Sequence, residues 1–369
     1  GVAFANRDGF KGYPESVDKN WETVQLPHTW NATDPFDDET SYYRGISWYR
    51  KYVSFESIKL GKNYFLRFEG ASFRTEVYVN GALADKHSGG YTGFTVDITP
   101  YLNVGENLIA VMVDNSHNPV IAPLAIGYAL YGGIYRDVWL IETSAIHFDT
   151  DYFGADALLF STPTVTAQKA NFEIKGQLSS PAGNTTAIKV EQVLKDPDGS
   201  VVWSEQKDMK AETAFVFNGM LESPLLWSPE SPKLYELESR ILSGDKVLDE
   251  LLQKVGFRWF ALDPESGFLL NGEAYTLNGT NRHQDFKGYG DALDNSFHYQ
   301  DLKYIKDMGA NFLRLAHYPQ DPYVYRLADE LGLILWSEIP NLNFINPSTE
   351  LTSQSATQIK EMIFQHFNH

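Results

Sequence analysis

Short runs of β-branched and aromatic residues, broken by turn formers and without a helical period, occupy residues 1–147. Residues 48–55, 64–68, 75–79, 108–113 and 135–141 each predict a strand, since apolar side chains in such runs suit a half-buried pleated surface. Asn80-Gly81 follows Val77-Tyr78-Val79 and predicts a tight hairpin, whose two central residues take positive φ. Many short strands without helices indicate a sandwich.

A second β region covers residues 148–258. Ile188, Val190, Gln192 and Leu194 share one face of a predicted strand, and Lys189, Glu191 and Val193 the other. Asp196-Pro197-Asp198-Gly199 then makes a turn before Val201-Val202-Trp203, and residues 214–217 and 234–237 supply two further strands. Strands of this kind without a cysteine suit an immunoglobulin-like sandwich lacking its disulfide.

After Trp259 the rhythm changes. Leu302, Ile305 and Met308 stand at helical spacing within residues 299–308, Gly309 is a natural stop, and an apolar strand follows over 312–316. Asp321-Pro322 predicts a helix start running through Leu331, where the missing N–H of proline costs nothing, and Gly332 ends it before a strand at 333–336. A last helix is predicted over 353–367. Strands alternating with helices in this way imply parallel β structure with right-handed crossovers.

Three strand ends in this region carry polar cargo: Asn281-Arg282-His283, Arg314-Leu315-Ala316-His317-Tyr318-Pro319 and Glu338-Ile339-Pro340. Residues just past the C-terminal ends of barrel strands build the active site of a (β/α)8 barrel. Residues 259–369 number 111 (369 − 259 + 1), against roughly 250 for a complete barrel, so the expectation is a barrel cut after three βα units.

Composition narrows the function classes. A net charge of −18 argues against a nucleic acid or an anionic membrane as partner, both of which recruit clustered Lys and Arg, whereas neutral sugars carry no such penalty. The absence of cysteine excludes a disulfide framework, a thiol nucleophile and thiolate metal sites. No apolar run approaches the ~18 to 20 residues of a membrane span, and Gly1-Val2-Ala3-Phe4 lacks the segments of a signal peptide. The compartment stays open, with a lean to the periplasm.

Several ordered motifs resemble glycoside hydrolase family 2, the bacterial and other β-galactosidases, β-glucuronidases and β-mannosidases. They are WETVQLPHTW at 21–30, GYTGF at 90–94 with DIT at 97–99, YGGIYRDV at 131–138, VGFR at 255–258 with FLLNG at 268–272, and the three strand-end motifs above. The resemblance implies a multidomain protein, all-β followed by α/β. Residues 1–147 would form a jelly-roll sugar-binding sandwich, 148–258 an immunoglobulin-like sandwich, and 259–369 the first part of a truncated (β/α)8 barrel. It further implies a retaining, exo-acting glycosidase on terminal β-linked sugars, galactose preferred, whose acid/base and nucleophile glutamates lie beyond His369. Arg282, His283, Arg314, His317 and Glu338 would line the sugar subsite. Carbohydrate is the expected partner, no cofactor or metal is expected, and a homo-oligomer is left open. A β-glucuronidase or β-mannosidase of the same family, or a non-catalytic carbohydrate-binding or assembly protein, is the alternative.

Two departures from the family pattern are visible. Gly127 stands where galactosidases often place an acidic residue, and Asn341-Leu342-Asn343-Phe344-Ile345-Asn346 replaces the Glu-x-His pair of magnesium-using galactosidases. Arg314 and Glu338 fit either a subsite or a plain ion pair between strands. Asp285 fits a loop residue or a ligand contact, and Pro319 suggests a cis bond after Tyr318. Trp21, Trp30, Trp48 and Trp139 are assigned to sandwich packing.

Overall fold

A computed structural model of the chain describes residues 21–37, 43–125, 127–210 and 214–369; Gly1 to Phe4 lie outside the described residues. Antiparallel strands of the first unit form two facing sheets. One has the order Ile46–Phe55, Gly105–Asp114, Arg74–Val79 and Ala82–Ser88, the other Phe94–Asp97, Lys62–Phe68 and Val138–Ser144. Between them Phe68, Val77, Val79, Val96, Ile98 and Val113 bury a continuous apolar layer. Asn80 and Gly81 take φ of 51° and 83°, which turns Arg74–Val79 directly into Ala82–Ser88 as the sequence predicts.

The strand expected over 135–141 begins only at Val138. Tyr135 and Arg136 are instead buried in a loop, where the Arg136 guanidinium donates to the backbone oxygens of Glu69, Tyr91 and Pro319. A fully buried guanidinium needs several acceptors at once, and loop carbonyls supply them where a ladder would not.

In the second unit one sheet joins Ala214–Glu222, Lys169–Ser179 and His147–Phe148, with Leu158–Val165 also pairing Lys169–Ser179. The other has the order Val201–Met209, Ile188–Lys195, Tyr235–Ser243 and Lys246–Val255. Ile188, Val190, Gln192 and Leu194 are all buried, as their alternation requires. Aromatic rings fill the core between the two sheets, with Phe172, Phe217 and Phe257 in one cluster. Two cross-strand pairs show how tightly: a Cβ on Gly176 would lie 2.0 Å from the ring of its register partner Phe215, and one on Gly219 2.0 Å from that of Phe172.

A small antiparallel sheet, Phe260–Asp263, Gly267–Leu270 and Glu273–Ala274, comes next and was not foreseen from the sequence. Three parallel strands follow, Gly279–Arg282, Phe312–Leu315 and Ile334–Ser337, with helices Asn295–Asp307, Pro322–Leu331 and Thr349–Gln365 after them. These are the βα units of a partial TIM barrel. Asp321 caps the second helix by accepting from Tyr323 N, and Gly332 ends it at φ 73°. Met308 is not on the buried face: it lies past the first helix and is 65% exposed, since the chain leaves the helix for Gly309 there.

The last helix starts earlier than predicted because Ser348 caps it at Leu351 N. Its buried residues are Leu351, Ser355, Gln358 and Glu361, three of them polar. Glu361 accepts from Thr92 Oγ1 at 2.6 Å and meets His87 Nε2 at 3.1 Å. Gln365 pairs with both the N–H and the C=O of Gly93, at 2.9 and 2.8 Å. Just past the helix, Asn368 bonds Phe160 N and Leu158 O of the second unit. The barrel units are thereby fastened to both sandwiches. No described helix is long and apolar enough to cross a membrane.

Candidate active site

The parallel register places Arg314 beside Trp336 on the neighbouring strand, with Glu338 just past the end of that strand. Arg314 closes on Glu338 with two prongs, Nη2 to Oε1 at 2.7 Å and Nε to Oε2 at 3.2 Å. His317 Nδ1 lies 3.0 Å from Glu338 Oε1, and Trp336 Nε1 donates to Oε2 at 3.0 Å. Burial alone would raise the Glu338 carboxyl, but the bonds from Arg314 and His317 outweigh it and hold the group below the usual carboxylate range. An ionised carboxylate only accepts, so His317 carries its proton on Nδ1 and, when neutral, offers Nε2 as an acceptor. With its lone pairs engaged by four donors, Glu338 is a poor nucleophile and a good orienter.

His283 stands edge-on to His317, ring centroids 5.3 Å apart, with Tyr318 Oη 3.5 Å from its Nδ1. Burial first, then the neighbouring His317 and Arg314, push its pKa down, so the ring is neutral near pH 7. The neutral His283 imidazole therefore presents a nitrogen edge suited to hydroxyl groups, with the His317 ring beside it.

Tyr128, which the sequence did not single out, comes from the first sandwich and lies against both histidines, 5.2 Å from His283 and 6.0 Å from His317. It belongs to a loop without periodicity. Its one sequence signal is adjacency to Gly127, where a Cβ would meet nothing within 4 Å. That open position leaves Tyr128 as the sandwich's contribution to this wall. On the same side, Asn343 Nδ2 donates to Ala125 O at 3.3 Å and Asn346 Nδ2 to Pro119 O at 3.1 Å. The segment at 341–346 is thus tied to the sandwich. Among the described residues no group of three or more His, Cys, Asp or Glu side chains could hold a metal ion.

Arg282 sits apart from the other four predicted site residues. Its guanidinium is buried and engages Asp301 Oδ2 at 2.8 Å, Gln320 Oε1 at 2.6 Å and His298 Nδ1 at 3.0 Å. With its donors directed at the first helix and the loop after the second strand, it braces the wall from behind. Asp285 accepts from Tyr131 of the first sandwich. The cis bond suggested at Pro319 lies instead at Ala316-His317. Trp30 packs on the sandwich core and Trp48 against Tyr78, but Trp139 is 53% exposed, so it is not a core residue.

Comparison with known proteins follows the same three-part division. Residues 11–144 match the sugar binding domain of glycosyl hydrolases family 2, residues 157–258 match the description Glycosyl hydrolases family 2, and residues 263–361 match its TIM barrel domain. A putative beta-glucuronidase of Formosa agariphila is 40% identical over 353 residues, covering 95% of this chain and 42% of that protein. A putative beta-galactosidase structure from Bacteroides fragilis superposes with a TM-score of 0.93 at 36% identity, covering 96% of this chain and 54% of the other. Bacteroides uniformis beta-glucuronidase 2, covalently bound to cyclophellitol-6-carboxylate aziridine, gives 0.91 at 35% identity, with 100% and 44% covered. The chain spans about half the length of the relatives it matches.

Proposed function

We propose, for a chain that belongs to glycosyl hydrolases family 2, that the whole protein is a retaining, exo-acting glycosidase that removes a terminal β-linked sugar. The carrying observation is the cluster of His283, His317, Arg314 and Glu338 at adjacent parallel strand ends, faced by Tyr128 of the first sandwich. Sugar hydroxyls bond the two imidazoles. Arg314 and Glu338 fix the position of His317 and set the field around the reacting carboxyl groups. Retention requires two carboxyl groups roughly 5 to 5.5 Å apart, one attacking the anomeric carbon and one protonating the leaving oxygen. Glu338, saturated with donors, takes neither part, and both glutamates belong to later barrel strands of the whole protein.

The substrate class is a β-glucuronide. The names of two of the relatives above support this over the galactose preferred on sequence grounds. A β-galactoside is the second reading, favoured by the Bacteroides fragilis structure. The test is kcat/KM of the whole protein on nitrophenyl β-glucuronide, β-galactoside and β-mannoside. A glucuronide value at least about tenfold above the others, a difference of 1.4 kcal/mol, is expected. Galactoside in first place installs the second reading, and no turnover on any of the three defeats the enzyme reading. Residues 1–369 alone are expected to turn over none of them.

A further inference from the structure

Strand Phe312–Leu315 stops two positions short of His317, and the helix that follows begins only at Pro322. Between them neither a ladder nor a helix satisfies the backbone, so groups from elsewhere must hold it. Pro319 has no N–H, and its carbonyl, the one backbone hydrogen-bonding group it owns, accepts from Arg136 Nη2 of the first sandwich at 2.7 Å. One position earlier, the Tyr318 ring lies flat on that of Tyr91, also of the first sandwich, with centroids 4.1 Å apart and planes 11° from parallel.

Arg136 and Tyr91 act as a unit. Tyr91 O accepts from Arg136 Nη1 at 3.0 Å, and Glu69 O accepts from the same nitrogen at 3.2 Å. These two bonds into the sandwich fix the plane of a rigid guanidinium, and Nη2 is thereby aimed at a single point. Arg136, Tyr91 and Tyr318 are all buried. A contact already buried within these residues stays buried in the whole protein.

Cementing two domains does not call for an arginine. Among the described residues its acceptors are neutral carbonyls, and its buried Nε has no hydrogen-bond partner. A buried cation with no carboxylate on it is expensive, and an apolar side chain would join the same surfaces at lower cost. What an apolar side chain lacks is direction. His317 stands two residues before the held carbonyl, and the stacked Tyr318 places its Oη 3.5 Å from His283 Nδ1. We propose that Arg136, together with Tyr91, is a positioning residue for the glycosidase reaction, setting through Pro319 and Tyr318 where the His317 and His283 rings stand against the sugar. The inference rests on the glycosidase reading above. It makes the first sandwich a participant in the rate of the reaction, through residues that do not touch the substrate.

In the whole protein Arg136→Met keeps the reach and apolar packing of the side chain and removes its donors. Its kcat on the preferred nitrophenyl glycoside should fall about 10- to 100-fold with KM within about threefold, since a displacement of about 1 Å is enough for such a loss. Crystal structures of parent and variant should show the histidine rings displaced by more than about 0.5 Å. Lys306, which bonds Pro229 O of the second sandwich and Gly332 O, is the control: Lys306→Met loosens another joint of the barrel and should leave kcat within about twofold. Should Arg136→Met fail to fold, Tyr91→Leu, which keeps the carbonyl and removes the stack, is judged by the same measures. Rings in place within about 0.5 Å overturn the proposal whatever the kinetics, and so does a kcat loss that Lys306→Met matches. A parent without turnover defeats the glycosidase reading, and the displacement of the rings then decides this inference alone.

Discussion

Tyr131 donates its hydroxyl to Asp285 Oδ2 at 2.9 Å across 154 positions of the chain, pinning the first sandwich to the loop that follows the first barrel strand. The same loop wraps the ring, for a Cβ on Gly290, whose φ is +57°, would come within 2.5 Å of Tyr131 Cδ1. Tyr131→Phe keeps that packing and removes one hydrogen bond to a charged group. A loss of about 1.5 kcal/mol in urea unfolding is expected, and an unchanged midpoint would show that the bond contributes nothing.

The second fastening should be stronger. Glu361 is buried with Thr92 and His87 as its partners, so Glu361→Ala strands two polar groups without an acceptor. A loss of about 2 to 4 kcal/mol is expected. Glu361→Gln, which can still accept, should cost clearly less when the two are melted side by side.

In the whole protein His283→Ala and His317→Ala should reduce kcat more than they raise KM, because hydrogen bonds to sugar hydroxyls tighten as the ring approaches its oxocarbenium-like state. The expected loss in kcat/KM corresponds to about 2 to 4 kcal/mol. Arg314→Lys should not rescue Arg314→Ala, since an ammonium cannot make the two-pronged contact seen with Glu338. A well-folded histidine variant within about twofold of the parent would make that ring scaffold rather than subsite.

Asp291 is buried between the sandwich and the barrel, and burial, with Asp285 adding repulsion, pushes its carboxyl up from 3.8 to about 7. The folded protein therefore holds a proton there that the unfolded chain has released. That contribution is fully present below pH 3.8 and is lost as pH rises through about 7, by up to ~1.4 kcal/mol per unit. Asp291→Asn abolishes the dependence. Its melting temperature should exceed that of the parent at pH 8 by more than at pH 5, and parallel pH profiles for the two proteins would refute this.

Much of the architecture was legible because its signals are local. Asn80-Gly81 states its own turn, residues 188–195 alternate along their whole length, and Asp321-Pro322 with Gly332 brackets a helix by capping chemistry alone. His283, His317 and Glu338 were findable because strand ends in a barrel are predictable places. Arg282 lies in the same kind of place but engages Asp301 and His298, a direction set by side chains from another segment. Tyr128 depends on how two domains meet, which no local pattern records. Hydrophobicity also misses the buried side of the last helix, since Ser355, Gln358 and Glu361 are polar residues that only a docked partner would bury.

That docking has a consequence for the order of events during synthesis. Thr92 and Glu361 are 269 positions apart, so at about 5 to 20 residues per second the sandwich surface at 87–93 emerges roughly 13 to 54 seconds before its helix. An apolar dock left bare for that long would invite other nascent chains to stick. The part of the dock that takes Glu361 and Gln365, made of backbone groups, a threonine and a histidine, stays wetted by solvent until they arrive and only then exchanges water for protein, while Phe364 of the same helix stacks on Phe153.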